Sequence, residues 1–265
     1  MKSPIILLDL DGVLVKDKDL NPFPDSAHFL KNIRELKIPF RVVSNNSTRP
    51  PHRMLQDLKD KGIELEEGEF ISPLSLLGDY LKEREIKRIL FLGMPAVEEY
   101  LKELGFDVVQ DYQVEVLVIG QDRTIDFMKL KLATSAVFLS GAKIFPVNLS
   151  RIVKDDDGLY FPGAGSIALA IAHACNYKED IPSLGKPSRE FIEYTLRGLE
   201  GGEVYLVSDD IYTDLIGARE LGIKSVFMTT GKYKEEELKR ANFSPDLIFH
   251  SLGDLLQYFY KAVFS

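Results

Sequence analysis

The chain has 265 residues, 45% of them hydrophobic and 28% charged, the balance of an ordinary soluble globular protein with one or two domains. A net charge of −8 argues against a nucleic-acid partner, which calls for a basic surface, but leaves anionic substrates open, because a metal and a few local cations can outweigh the global sign. A single cysteine, Cys175, excludes an intrachain disulfide and fits a reducing cytoplasm, and no signal peptide or membrane span is expected, since no apolar run approaches the roughly 18 residues a spanning helix needs.

The first element is Ile5-Ile6-Leu7-Leu8, a short apolar run that fits a strand buried on both faces of a parallel sheet. It ends at Asp9-Leu10-Asp11-Gly12, two acids and a glycine. This is either an Asp-Gly turn or a metal site; uncompensated carboxylates at a buried strand end cost several kcal/mol, and a divalent cation would remove that cost. A stiff loop follows, Asn21 to Pro24. Asp25 is then placed to cap a helix with Phe29, Ile33 and Leu36 on its inner face. A second buried strand, Pro39 to Val43, ends at Ser44-Asn45-Asn46-Ser47-Thr48. A helix from Pro51 to Lys61 stops at Gly62.

The next section is α/β in its own right. Strands are expected at Ile89–Gly93, Val116–Gly120 and Ala142–Val147. Helices are expected at Val97–Leu104, Ile125–Leu139 and from Gly163-Ala164-Gly165-Ser166 onward. These elements could bury their own core, so residues 75–182 are assigned to a second domain and residues 1–74 and 183–265 to the first. The first rhythm then resumes. A helix covers Arg189–Arg197, and the strand Val204–Val207 ends in Ser208-Asp209-Asp210. A helix spans Thr213–Leu221, and strands follow at Lys224–Met228 and Leu247–Phe249. The last helix carries Leu255, Leu256, Phe259 and Val263. Its aromatics could face a second copy in a homodimer; docking on the chain's own sheet is the preferred reading.

Three strands thus end in polar clusters: Asp9/Asp11, Ser44/Asn45 and Asp209/Asp210, with Asp214 one turn into the next helix. In an open α/β sheet, parallel neighbours would bring these ends together where ligands bind. Lys186 lies in the loop Gly185-Lys186-Pro187 of the same half. Carboxylates, a hydroxyl, amides and one lysine suit a hard, oxygen-seeking cation such as Mg²⁺ holding a phosphate. Other features are set aside. The glycines around Gly163 mimic part of a dinucleotide fingerprint but lie far from the N-terminal strand–helix–strand unit, and are read as a helix entry. Lys154 to Gly158 lacks the ligand spacing of a calcium loop and is read as a solvated turn. The four histidines show no metal-ligand spacing; His28 and His173 are expected to be partly buried, and His52 could approach the second cluster.

In order and spacing, almost the whole chain resembles the haloacid dehalogenase superfamily. Asp9-Leu10-Asp11-Gly12-Val13-Leu14 is similar to its first motif and Val43-Ser44-Asn45-Asn46 to its second. Gly185-Lys186-Pro187 is similar to the third, and Ser208 to Asp214 to the fourth. The section inserted after the second motif resembles the large α/β cap of the NagD-like, or para-nitrophenyl-phosphatase-like, branch. The resemblance implies a Rossmann-like, doubly wound parallel sheet with an inserted α/β cap, and a Mg²⁺-dependent phosphatase acting on a small phosphomonoester. It makes Asp9 the nucleophile and Asp11 the general acid and base. Ser44, Asn45, Asn46, Gly12 and Lys186 would surround the phosphoryl group, and Asp9, Asp11 through its main-chain carbonyl, Asp209 and Asp214 would form the metal site. A phosphomutase or phosphotransferase of the same superfamily, or a silent phosphate binder, would carry the same motifs. A phospho-accepting receiver module would lack the insertion.

Two positions depart from the branch. Glycine is usual where this chain has Ser208, whose side chain could crowd the metal loop or add to its water shell. The cap's specificity loop, typically Thr-Asn-Pro-Asp, reads Val147-Asn148-Leu149-Ser150-Arg151. Asn148 and Arg151 become the candidate substrate-reading residues, and Arg151 suggests tolerance of an anionic substrate tail.

Overall fold

A computed structural model describes residues 3–155 and 157–264. The chain divides into two compact units, one of Met1–Ser44, Pro51–Ile71 and Lys186–Ser265, the other of Asn45–Pro50 and Ser72–Gly185.

In the first unit, six parallel strands form one sheet. In chain order they are β1 (Ile5–Asp9), β2 (Phe40–Val43), β3 (Phe70–Ile71), β10 (Val204–Ser208), β11 (Lys224–Met228) and β12 (Leu247–Phe249), and in space they run β12-β11-β10-β1-β2-β3. The chain starts at the centre, winds outward through β2 and β3, and on returning winds outward the other way through β10, β11 and β12. The point of reversal lies between β1 and β10. There the connections leave in opposite directions and open a crevice at the carboxyl ends. All five residues of β1 are buried, as a strand covered on both faces requires. One apolar cluster joins Ile6 and Leu8 to Phe29 and Ile33 of α1 (Ser26–Glu35), Met54 and Leu58 of α2 (Pro51–Asp60), and Leu255 and Phe259 of α10 (Leu252–Phe264). The last helix therefore docks on its own sheet through Leu255 and Phe259; Val263's side chain lies outside the described residues. A smaller cluster around Ile211, Leu215 and Phe227 includes Leu238 of α9 (Glu235–Arg240).

The second unit holds a four-stranded parallel sheet in the order β5-β4-β6-β7, with β4 Arg88–Leu92, β5 Asp107–Val108, β6 Val116–Ile119 and β7 Lys143–Pro146. Its core joins Leu90, Leu117 and Ile144 to Ala133, Ala136 and Val137 of α5 (Phe127–Ser140) and Ala168 and Ile171 of α6 (Ala164–Ala174). The unit also has α3 (Pro73–Lys82), α4 (Pro95–Glu103) and an antiparallel hairpin, β8 (Ile152–Lys154) and β9 (Tyr160–Pro162).

Several local expectations need correction. Asp25 precedes α1 but makes no side-chain cap. Its backbone is already near-helical (φ −98°, ψ −2°), not in the extended form that aims a cap at the first turn, and its carboxylate accepts from the Gly253 amide of α10 at 3.1 Å instead. Helix α3 is not among the elements expected from the sequence. Pro73 occupies the first turn, where its missing N–H costs nothing, and Gly78 lets Leu104 approach so closely that a Cβ would stand 2.8 Å from it. His28 and His173 are exposed on their helices, not partly buried, and His52 is exposed on α2. Gly163 does open α6, and the segment after β8 turns back into β9; Asp156, within that turn, lies outside the described residues.

Candidate active site

Strand register places the acids. Leu8 pairs with Val207 and Asp9 with Val43, so Asp9, Ser208 and Val43 end three adjacent strands at one level. Lys186, at the start of the returning chain, lies between two of the carboxylates. Its Nζ donates to Asp9 Oδ1 at 2.6 Å and to Asp214 Oδ2 at 2.8 Å. The lysine, Asp9 and Asp214 side chains are only 3%, 8% and 2% exposed. Burial alone would push the lysine's pKa down, but the charges of Asp214 and Asp9 outweigh it and hold the ammonium above its ordinary value. Burial pushes Asp9 well up, against the pull of Lys186, with Asp214 and Asp11 adding like charge.

Asp214 reaches this position on a wide turn. Residues Ile211–Leu215 form a π-type turn, in which the Leu215 amide bonds back to the Asp210 carbonyl at 3.2 Å, ahead of α8 (Ile216–Glu220). Asp210 caps that turn, its Oδ1 accepting from Tyr212 N at 3.1 Å and Thr213 N at 2.9 Å. Asp210 therefore points into its own helix, while its neighbour Asp209 is buried.

Asp209 sits in a slot that depends on two glycines. Gly12 bends there with φ +76°, a conformation glycine adopts without penalty, and a Cβ on either Gly12 or Gly231 would overlap the Asp209 carboxylate. The Lys232 amide donates to Asp209 Oδ2, and Thr230 Oγ1 donates to the Gly12 carbonyl at 2.6 Å. Burial raises the Asp209 pKa, partly offset by the Lys232 amide. This loop after β11, Thr230-Gly231-Lys232, was missed in the sequence. Its only signal was a glycine three residues past a strand that itself adjoins the acid-bearing strand.

The oxygen donors here are those of a hard-cation site. Asp9 and Asp209 are buried acids whose charge a divalent ion would relieve. Among the described residues, no group of three or more His, Cys, Asp or Glu side chains is placed to hold a metal. A set of two carboxylates completed by a main-chain carbonyl is consistent with that, with Asp214 turned to Lys186 and Ser208.

Asp11 is exposed beside this cluster, its segment pinned by Gly12 N on the Val15 carbonyl at 2.8 Å. Ser44 is fully buried, with its amide on the Ile71 carbonyl at 3.1 Å. Asn46 Oδ1 accepts from Thr48 N at 3.2 Å and Arg49 N at 2.9 Å and shapes the loop after β2. Asn148 donates to the Asn45 carbonyl at 3.4 Å and accepts from Ser150 N at 3.1 Å. Arg151 has an exposed side chain, and its carbonyl accepts from Gly163 N at 3.0 Å and Ser166 Oγ at 2.6 Å. Ser208 Oγ neither crowds the loop nor faces solvent. It turns inward to Asp9 Oδ2 at 3.0 Å and Asp214 Oδ2 at 2.7 Å.

A parallel sheet carrying a buried Asp–Lys–Asp cluster at its reversal point is a site for phosphoryl chemistry in an α/β fold, and comparison with known proteins gives the family. A family model described as haloacid dehalogenase-like hydrolase matches residues 6–107, and a second, of HAD-hydrolase-like proteins, matches residues 183–255. An acid sugar phosphatase of Staphylococcus epidermidis is 27% identical over 250 residues, 93% of this chain and 94% of that one. The structure of a p-nitrophenyl phosphatase from Archaeoglobus fulgidus is 30% identical with a TM-score of 0.85, covering 97% of this chain and 99% of that one. A 4-nitrophenylphosphatase from Thermotoga maritima is 26% identical with a TM-score of 0.83, covering 96% of each. The chain belongs to the haloacid dehalogenase superfamily, in its NagD-like phosphatase branch. Among the described residues, no helix is long and apolar enough to cross a membrane.

Proposed function

We propose that the chain hydrolyses a small phosphomonoester through an aspartyl-phosphate on Asp9, with Mg²⁺ as cofactor. The observation that carries this reading is the buried Lys186 held between Asp9 and Asp214, with Asp11 exposed beside them. A carboxylate anchored by a buried ammonium is a positioned nucleophile whose charge is compensated before substrate arrives. In the first step an Asp9 oxygen attacks phosphorus, the bond to the leaving oxygen breaks, and Asp11 gives that oxygen its proton. In the second, Asp11 takes a proton from water, the water oxygen attacks phosphorus, and inorganic phosphate leaves as the Asp9 carboxylate is restored. Lys186 balances charge on Asp9 and on the phosphoryl oxygens, and Ser44 and the Asn45 amide hold those oxygens.

Asp9, Asp209 and the Asp11 carbonyl would hold the Mg²⁺, which would supply positive charge to the phosphoryl oxygens. The second unit would act as an inserted cap, in which Asn148 and Arg151 read the rest of the substrate. The test is steady turnover of para-nitrophenyl phosphate in Mg²⁺, with loss of turnover in EDTA and in Asp9→Asn. No turnover on this ester or on a broad panel of phosphometabolites would defeat the proposal, and transfer to an organic acceptor without phosphate release would replace hydrolysis with phosphotransfer.

A further inference from the structure

Ser208 is fully buried at the end of β10, and the phosphatase chemistry proposed above gives it no role. Its hydroxyl nevertheless closes a ring. Lys186 Nζ touches Asp9 Oδ1 and Asp214 Oδ2; Ser208 Oγ touches the same Asp214 oxygen and the other Asp9 oxygen, Oδ2. The Asp210 amide donates to Oγ at 3.0 Å. A carboxylate turns readily about its last bond, because that torsion is broad and two-fold. Lys186 alone grips Asp9 at one oxygen and leaves that rotation open. A second contact at Oδ2 closes it. The hydroxyl has one proton for two carboxylate oxygens, and rotation about the Cβ–Oγ bond lets it serve either one.

We propose that Ser208 is a positioning residue that, donating to Oδ2, restrains the plane of the Asp9 carboxylate, so that the attacking oxygen is presented in one orientation. This rests on Asp9 being the nucleophile. A misdirected nucleophile loses rate rather than binding, since orientation is realised at the transition state. Glycine at this position would leave Asp9 Oδ2 without that contact.

The test compares Ser208→Ala, Ser208→Gly and Ser208→Thr with the unsubstituted chain, using para-nitrophenyl phosphate and saturating Mg²⁺. The first two add no atoms, and thermal midpoints check that folding is retained. The expected result is a kcat lower by about tenfold in Ser208→Ala and Ser208→Gly, with KM within about twofold, and recovery of most of kcat in Ser208→Thr, which keeps the hydroxyl. Unchanged kcat in the first two, a loss confined to KM, or no recovery in a folded Ser208→Thr would overturn the assignment. A second arm needs no activity. In crystals of metal-free Ser208→Ala the Asp9 carboxylate is expected to be rotated or split between orientations, and an unmoved carboxylate overturns the proposal. If the unsubstituted chain shows no turnover, the phosphatase reading fails by itself, and the crystallographic arm still decides the role of Ser208.

Discussion

Replacing Lys186 with methionine removes a buried ammonium and keeps much of the side-chain volume. Asp9 Oδ1 and Asp214 Oδ2 lose contacts of 2.6 and 2.8 Å in a site where neither carboxylate is more than 8% exposed. Removing one partner of a buried ion pair costs about 3–5 kcal/mol, because the remaining charge is left unpaired. At about 2–4 °C per kcal/mol for a unit of this size, Lys186→Met is expected to melt about 10 °C lower in EDTA at neutral pH.

The pH dependence gives a sharper test. In the unsubstituted chain Lys186 is held above its ordinary value, so its contribution is complete below the unfolded lysine value of about 10.4 and is lost only as pH rises through the higher folded value. Burial already raises Asp9 against the pull of Lys186, and in the variant that pull is gone, so Asp9 rises further. The folded state then binds more protons than the unfolded one above about pH 3.9, and stability falls as pH rises. Denaturant unfolding followed by circular dichroism should therefore show a larger deficit near about pH 7 than near about pH 5. A deficit below about 1 kcal/mol at neutral pH, or one independent of pH, would refute the view that Lys186 compensates two buried charges.

Gly231→Ala places a Cβ against the Asp209 carboxylate and 2.7 Å from the Gly12 Cα. It should raise the Mg²⁺ concentration for half-maximal turnover by about tenfold or more, and an unchanged metal titration would contradict the slot described for Asp209. Ser225→Ala removes the hydroxyl that donates to Asp246 Oδ2 at 2.8 Å and accepts from its amide at 3.1 Å, and should cost about 1 kcal/mol. Slight burial works to raise Asp246, but the bonds from Ser225 and Lys224 outweigh it and hold the carboxyl below its usual value. That contribution is present above about pH 3.9 and is lost as pH falls through the lower folded value, so the Ser225→Ala deficit should fade in acid; a deficit that grows there would be inconsistent. Arg151→Ala should lower kcat/KM by about tenfold on phosphate esters with a second negative charge and spare para-nitrophenyl phosphate, and equal losses on both would remove Arg151 from substrate reading.

Much of the molecule is readable from local signals in the sequence. The apolar runs of β1, β2, β10 and β11 are each as long as a buried strand. Gly62, Gly105 and Gly222 adopt positive φ where helices were expected to stop. Acids directly after buried runs marked the carboxyl ends as the place for chemistry, because a charge at the edge of a core needs a partner. Other features depended on neighbours remote in sequence. The two-residue strands β3 and β5 carry too few residues for periodicity and exist only because a longer strand pairs with them. The Asn46 carbonyl oxygen serves its own loop, a partner choice that residue type alone does not fix. The direction of the Ser208 hydroxyl and the glycine slot around Asp209 were decided by packing between residues up to 219 positions apart, such as Gly12 and Gly231. Side-chain type sets what a residue can donate or accept, and that is legible along the chain; which partner it meets is set by the convergence of strands in the folded sheet.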